Sequence, residues 1–384
     1  MKIVFHCVYY PPEVGGLESH VSFLCRELAR RGHEISIVTS LSRPGLPVFE
    51  EEDGVSVWRT PLPTRTPVGW FLHALGSTPR TRAVVRGADL VHAQAFPSIL
   101  PLNLALAGAG TPLVCTLHTS HFLRLASNPL VAGPLGALIA RSDHNFASSG
   151  EIAQVGEGLR RGISVEPLVN GVDTELFRPG PATLPPGARR WRLMVPRRLF
   201  SKNGVEFFVR AMPSIVAEAD VEAVFVGDGP ERKRLEELGG ELGVADRMTF
   251  LGSRRHAEMP GLLASADLAV FPSLMEATSV AALECMACGL PVAASDVGGL
   301  PEIVDDSVGG LFQPADPSGL AAKVLELLSV EELARRGAEG RRRVTRHWSN
   351  ARLVDRHLEV YRKLLRPGRQ RAAKLARAPG APPG

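Results

Sequence analysis

FPSLMEATSVAALECMACGLPVAASDVGGLPE, residues 271–302, reads as one strand–loop–helix–strand unit. A strand over Leu268 to Phe271 runs into a loop, a helix begins near Ser279, and a second strand over Pro291 to Ala294 ends at a glycine turn. A helix starting there leaves free backbone N–H groups and the positive end of its dipole at residues 277–280, a ready site for phosphate. Glu276 stands on the loop before the helix, and Glu284, eight residues later, falls about one turn inside it. One helix end thus offers donors for a diphosphate at Ala277, Thr278, Ser279 and Val280, flanked by carboxylate acceptors for hydroxyl groups. A nucleotide-sugar needs that combination.

Working outward, short β-branched runs alternate with amphipathic helices, the pattern of a doubly wound parallel sheet. In the first half, strands are expected at Lys2–Val8, Glu34–Thr39, Val55–Arg59, Asp89–Ala93, Pro112–Leu117, His144–Ala147 and Ser164–Pro167. Leu17, Val21, Leu24 and Leu28 mark one face of a helix between the first two, closed by Gly32. The pattern restarts after the Pro- and Gly-rich segment RPGPATLPPGARR (178–190), with strands expected at Arg192–Val195, Glu222–Val226, Arg247–Phe250, Leu268–Phe271 and Pro291–Ala294. The economical organisation is an α/β protein of two Rossmann-like domains, residues 1–170 and 171–349, followed by a helix over about 350–366. Residues 367–384 contain no coherent apolar face and are expected to be a disordered basic tail.

At 384 residues, 45% hydrophobic and 22% charged, the chain has the length for two cores and the composition of a soluble globular protein. The net charge of +4 is modest and uneven. Residues 1–170 carry +1, residues 171–350 carry −4 and the last 34 carry +7, so a nucleic-acid partner is not expected. No run approaches the roughly 20 apolar residues of a membrane span, and the N-terminus does not read as a signal peptide, which together predict a cytoplasmic protein. The odd number of cysteines, five, argues against a disulfide framework. Cys285 and Cys288 form C-x-x-C without the further ligands that zinc needs, so they read as buried helix cysteines.

Five segments together resemble the retaining nucleotide-sugar glycosyltransferases of family 4, with the two-domain GT-B architecture. They are PPEVGGLESHV after the first strand, RRLFSKNG (197–204), VGDGPER (226–232), the E-x7-E stretch from Glu276 to Glu284, and GVDTELFRP after Asn170. The resemblance spans residues 1 to about 365 in the family's order. It implies two domains facing across a cleft, with the final helix returning to the first domain and hinges near Asn170 and Trp348 to Arg352. Gly15 and Gly16, which let a ligand approach the backbone, would lie beside the donor phosphates and the acceptor. Arg198 and Lys202 would neutralise the diphosphate, Glu284 would hold the ribose, and Glu276 and His118 would position the transferred sugar and stabilise an oxocarbenium-like state.

His33 reads as structural; His6, His20, His92 and His121 are open between lining the cleft and capping loops. The sequence departs from the family at two places. Ala277, Thr278 and Ser279 replace the usual Gly-Phe-Gly, narrowing the sugar pocket and adding hydroxyls, and Arg197 replaces the glycine before Arg-Leu.

No D-x-D occurs, so no metal and no cofactor beyond the nucleotide-sugar substrate is expected; arginine, lysine and a helix N-terminus serve instead. The acceptor would be a glycan or a lipid-linked molecule. Trp70, Phe71 and Leu72 with Arg80, Arg82 and Arg86 suit either an anionic membrane at the inner face of the plasma membrane or packing on the protein's own sheet. Among rivals, an inactive sugar-nucleotide-binding scaffold and a nucleotide-sugar epimerase share the architecture. A phosphorylase would be far longer, and a nicotinamide-dependent dehydrogenase lacks its G-x-G-x-x-G.

Overall fold

A computed structural model describes residues 1–366 apart from Val14, Gly108, Thr119, Ala277 and Thr278. The expected tail, 367–384, lies outside the described residues. The described residues divide into two compact units, Met1–Val169 with those from Leu353 on, and Asn170–Arg352.

The first unit is built on eight strands: β1 (Lys2–Cys7), β2 (Glu34–Leu41), β3 (Phe49–Glu52), β4 (Val55–Pro61), β5 (Leu90–Gln94), β6 (Leu113–Leu117), β7 (His144–Ala147) and β8 (Val165–Pro167). Their order is β3-β4-β2-β1-β5-β6-β7-β8, parallel throughout except for β3. Ile3 to Cys7 in β1 and every residue of β5 and β6 are buried, because helices cover both faces of such a sheet. The helix Gly16–Arg30 turns Val21, Leu24, Cys25 and Leu28 onto it. From the end of the chain, Val354, Leu358, Val360, Tyr361 and Leu364 enter the same core as Ile3, Phe5 and Leu24.

The second unit carries β9 (Trp191–Val195), β10 (Val221–Val226), β11 (Met248–Gly252), β12 (Leu268–Phe271), β13 (Val292–Ser295) and β14 (Gly309–Phe312), in the order β11-β10-β9-β12-β13-β14, all parallel. The first connections run one way from β9 and the later ones the other, which puts the switch point between β9 and β12. In the first unit it lies between β1 and β5. Doubly wound sheets bind ligands outside the strand carboxyl ends at this point.

Two strands were not anticipated. β3 is FEEE, too acidic to read as a strand, yet it pairs antiparallel with β4 across Asp53-Gly54, both at positive φ, a hairpin turn that the D-G pair signals. β14 opens on two glycines that lower its strand propensity, and a Cβ at Gly309 would overlap the carbonyl oxygen of Val292 in β13. At the boundaries of the second unit, Val172 bridges Ser349: its N–H donates to Trp348 O at 2.8 Å, and its carbonyl accepts from Asn350 N at 2.8 Å.

Candidate active site

In the second unit the site is assembled by loops lying backbone against backbone at the carboxyl edge of the sheet. Gly227 follows β10 at φ +145°, and a Cβ there would overlap the carbonyl oxygen of Arg197. The loop after β10 can therefore lie directly on the segment after β9, held by Leu199 N to Asp228 O at 3.0 Å and Glu231 N to Leu199 O at 3.1 Å. From the other side, Leu274 N and Met275 N donate to Lys202 O at 2.9 and 3.3 Å. Gly298, at φ +54° after β13, presses on the carbonyl of Glu276, where no Cβ would fit.

This packing brings Arg197 and Glu276 together across the switch point. Arg197 Nη2 lies 2.5 Å from Glu276 Oε2, with the two side chains only 10% and 15% exposed. Glu276 Oε2 and Arg197 Nε are both buried without a hydrogen-bond partner among the described residues. Arg197 also donates to Asn203 Oδ1 at 2.9 Å and stands over the Phe271 ring at 5.5 Å, and Asn203 Nδ2 donates to Arg198 O at 2.6 Å. Breaking such a buried pair from one side strands a charge, at a cost of about 3–5 kcal/mol. Arg198 and Lys202, by contrast, are exposed and have no ion-pair partner among the described residues; Arg198 lies over the Phe200 ring at 5.7 Å. Of three cations after β9, one is committed to Glu276 and two face outward.

The helix Val280–Ala287 starts where the sequence indicates, directly after Ser279. Ser279 is buried and caps the helix, Oγ accepting from Ala282 N at 3.3 Å, which is the ordinary work of an N-cap serine. Ala277 and Thr278 lie outside the described residues. Glu284 is buried, and its Oε1 sits 2.7 Å from Nε2 of His256, a residue the sequence reading did not single out. His256 in turn packs its ring 4.9 Å from that of Phe177. No sequence motif marks His256, which follows Arg254 and Arg255 on the loop after β11.

In the first unit, Gly15 precedes the helix Gly16–Arg30 after β1. A Cβ on Gly16 would meet no protein atom within 4 Å, whereas one on Gly15 would overlap the Glu18 carboxylate. His118 follows β6 and is buried, its Nε2 2.9 Å from Gln94 Oε1 at the end of β5. Burial, with the charge of nearby His357, pushes the His118 pKa down to about 3, so the ring is neutral at working pH. His20 stacks edge-on to His118 at 5.2 Å, and His92 bridges Tyr361 Oη and Thr116 Oγ1 at 2.7 and 2.8 Å. His6 is held by Ser98 and Ser77 in the core, His33 contacts the N-terminal amine, and His121 contacts Arg124 and the Trp70 ring.

The helix Pro67–Val84 packs through His73, Ala74, Ser77 and Thr81. Trp70 is tied to Tyr9 Oη at 3.0 Å, so the outward apolar stripe is instead Val68, Phe71, Leu72 and Leu75, which are 43–68% exposed. Arg80 lies over the Trp58 ring at 4.6 Å. All five cysteines are free and buried. Among the described residues no helix is long and apolar enough to cross a membrane, and no three His, Cys, Asp or Glu side chains are grouped to hold a metal ion.

Comparison with known proteins matches residues 14–176 to the family described as Glycosyltransferase Family 4 and residues 191–330 to Glycosyl transferases group 1. A GDP-mannose-dependent alpha-(1-6)-phosphatidylinositol monomannoside mannosyltransferase of Mycobacterium tuberculosis is 30% identical, over 88% of this chain and 92% of its own length. The N-acetyl-alpha-D-glucosaminyl L-malate synthase of Bacillus anthracis is 29% identical, over 95% and 98%. In fold, the chain is similar to HepE of Anabaena, solved in complex with UDP, with a TM-score of 0.76 at 22% identity, covering 95% of this chain and all of the other.

The Glu284 contact holds the His256 pKa above the usual histidine value, chiefly through the hydrogen bond, with the charges of Glu284 and Asp173 adding and desolvation opposing. A raised folded-state pKa gives stability that is fully present below the unfolded value of about 6.5 and lost as pH rises through the folded one. His256→Gln should therefore destabilise the protein at pH 6 and have little effect at pH 9. Since His256 is largely exposed, solvent screening keeps the difference below about 1 kcal/mol. Urea unfolding of both proteins at the two pH values measures it, and a pH-independent difference would contradict the assignment.

Proposed function

Because the chain belongs to glycosyltransferase family 4 and is a hexosyltransferase of GT-B fold, we propose that it moves a hexosyl group from a UDP- or GDP-sugar to a glycan or lipid-linked acceptor, with retention of configuration and without a metal ion. The observation that carries this reading is the pair of exposed cations, Arg198 and Lys202, without an ion-pair partner among the described residues, at the switch point of the second sheet, on a segment whose neighbouring Arg197 is already neutralised. They are suited to the charge that gathers on a departing diphosphate, assisted by the start of the helix at Val280. Glu284 takes the ribose hydroxyls, and Glu276 takes a hydroxyl of the transferred sugar.

In the reaction, the acceptor oxygen bonds to the anomeric carbon on the face that the diphosphate leaves. The carbon–oxygen bond to phosphate breaks with its electrons passing to the diphosphate, and a phosphate oxygen receives the acceptor's proton. His118, neutral in its buried site, orients the transferred sugar, and Gly15 and Gly16 leave room for phosphate and acceptor. The mannosyltransferase relative is named for GDP-mannose and HepE is solved with UDP, so both bases stay within the proposal. The product belongs to polysaccharide or glycolipid assembly.

The apolar stripe Val68, Phe71, Leu72 and Leu75 gives the protein a face for peripheral contact with an anionic cytoplasmic leaflet carrying a lipid-linked acceptor, aided by the basic end of the chain.

A thermal-shift panel of UDP, GDP, ADP and their sugar conjugates, with and without EDTA, tests the donor site. One nucleotide should stabilise the protein equally with and without EDTA, and Glu284→Ala should weaken its affinity by about tenfold or more. No shift with any nucleotide would count against a donor site and favour the scaffold reading. For the membrane, the protein should float with vesicles containing phosphatidylglycerol but not with pure phosphatidylcholine, and Phe71→Glu should abolish flotation; protein that stays in the soluble fraction with both vesicles would argue against docking.

A further inference from the structure

The side chains around His118 form a connected polar chain inside the first unit. His118 Nε2 meets Gln94 Oε1 at 2.9 Å, and Gln94 Nε2 is 3.5 Å from His92 Nε2. His92 Nε2 meets Thr116 Oγ1 at 2.8 Å, and His92 Nδ1 meets Tyr361 Oη at 2.7 Å. All five side chains are buried, with Gln94 only 1% exposed, and Gln94 and Thr116 face each other in the β5–β6 register. The chain therefore runs from the helix Asn350–Leu364, through two neighbouring strands, to the one histidine assigned to the transferred sugar.

An amide oxygen can only accept a hydrogen bond, so the nitrogen facing it must carry the hydrogen. We propose that Gln94 is the positioning residue for His118: its carbonyl oxygen holds the proton on Nε2, so that the imidazole serves the sugar through Nδ1 as a hydrogen-bond acceptor. This rests on the role given to His118 above. The assignment makes His118 an orienting group that receives a hydrogen bond from a sugar hydroxyl, and removes it from proton donation to a leaving group. The amide orientation is consistent with its other end, since Gln94 Nε2–H points toward His92 Nε2, which also accepts from Thr116 Oγ1 while Nδ1–H donates to Tyr361 Oη. Turning the amide over would reverse the tautomers of both histidines together, so the two states are experimentally distinct.

The groups around His118 keep the ring neutral. His20 comes from the helix Gly16–Arg30, His92 from β5 and His357 from the helix Asn350–Leu364; each has its pKa lowered by burial, and among the described residues His118 makes no hydrogen bond or ion pair to a carboxylate. Replacing Gln94 by Glu keeps an acceptor at Nε2 but adds a charge that favours imidazolium, whereas Gln94→Leu removes the acceptor altogether.

The test is nitrogen NMR of the full chain labelled with 15N-histidine, His118 being assigned by its loss in His118→Ala. It is combined with nucleoside diphosphate release from UDP-glucose, UDP-N-acetylglucosamine and GDP-mannose. Wild type should show protonated Nε2 and bare Nδ1. Gln94→Leu should lose that single tautomer and slow nucleotide release at least tenfold in kcat, with the thermal shift by bare UDP or GDP unchanged. Gln94→Glu should keep Nε2 protonated, recover part of kcat, and add a pH limb as His118 begins to titrate. A wild-type proton on Nδ1, or a Gln94→Leu protein that keeps both tautomer and kcat, overturns the assignment. Should Gln94→Leu not fold, Gln94→Glu decides: no new pH limb and no tautomer preference overturn it equally. A wild type that binds neither UDP nor GDP would instead overturn the transferase reading, and the role of His118 with it, leaving the measured tautomer as a fact about the fold.

Discussion

The second unit's site depends on one steric constraint, the contact of Gly298 with the backbone of Glu276. With φ at +54° and the Glu276 carbonyl where a Cβ would stand, only glycine lets the turn after β13 close on the loop after β12. Gly227 does the same against Arg197 from the far side of β9. With these two closures the carboxylate and the guanidinium are pinned by backbone, so their pairing does not rely on two long side chains finding each other. This is why a contact that would be worth little on a surface becomes a fixed part of the site.

That pairing divides the labour among three neighbouring cations. Arg197 is paired with Glu276, which leaves Arg198 and Lys202 as the two cations proposed for the diphosphate. Glu276 then has one oxygen covered and the other to offer. Glu284, on the next helix, is similarly half-engaged, by His256. Each acid assigned to a hydroxyl is thus oriented by a base before any ligand arrives, a form of preorganisation that lowers the ordering cost of binding.

Most of the fold was legible because parallel strands buried on both faces read as near-continuous apolar runs: IVFHC, LVHAQ and LAVF stand out even with His6, His92 and Gln94 among them. β3 was hidden by its glutamates and β14 by its glycines, where tertiary pairing overrides local preference. In the site, the helix start at Ser279 was legible from spacing, but the use of the Ser279 hydroxyl was not, since capping and ligand binding ask for the same residue type. Arg197 was visible as an oddity, and its partner was not, because β9 and β12 are neighbours in the sheet and far apart in sequence. His256 and Gln94 carry no motif at all. Their importance is a matter of which atoms the fold sets within 3 Å of Glu284 and His118.

The most direct measurement is a crystal structure of the protein grown with millimolar UDP and, separately, GDP. The account requires one of them to lie at the carboxyl edge of the second sheet, its diphosphate within hydrogen-bond reach of Arg198, Lys202 and the amides that open the helix Val280–Ala287, and its ribose hydroxyls on Glu284. A nucleotide bound away from that edge, or one whose ribose leaves Glu284 untouched, would contradict it.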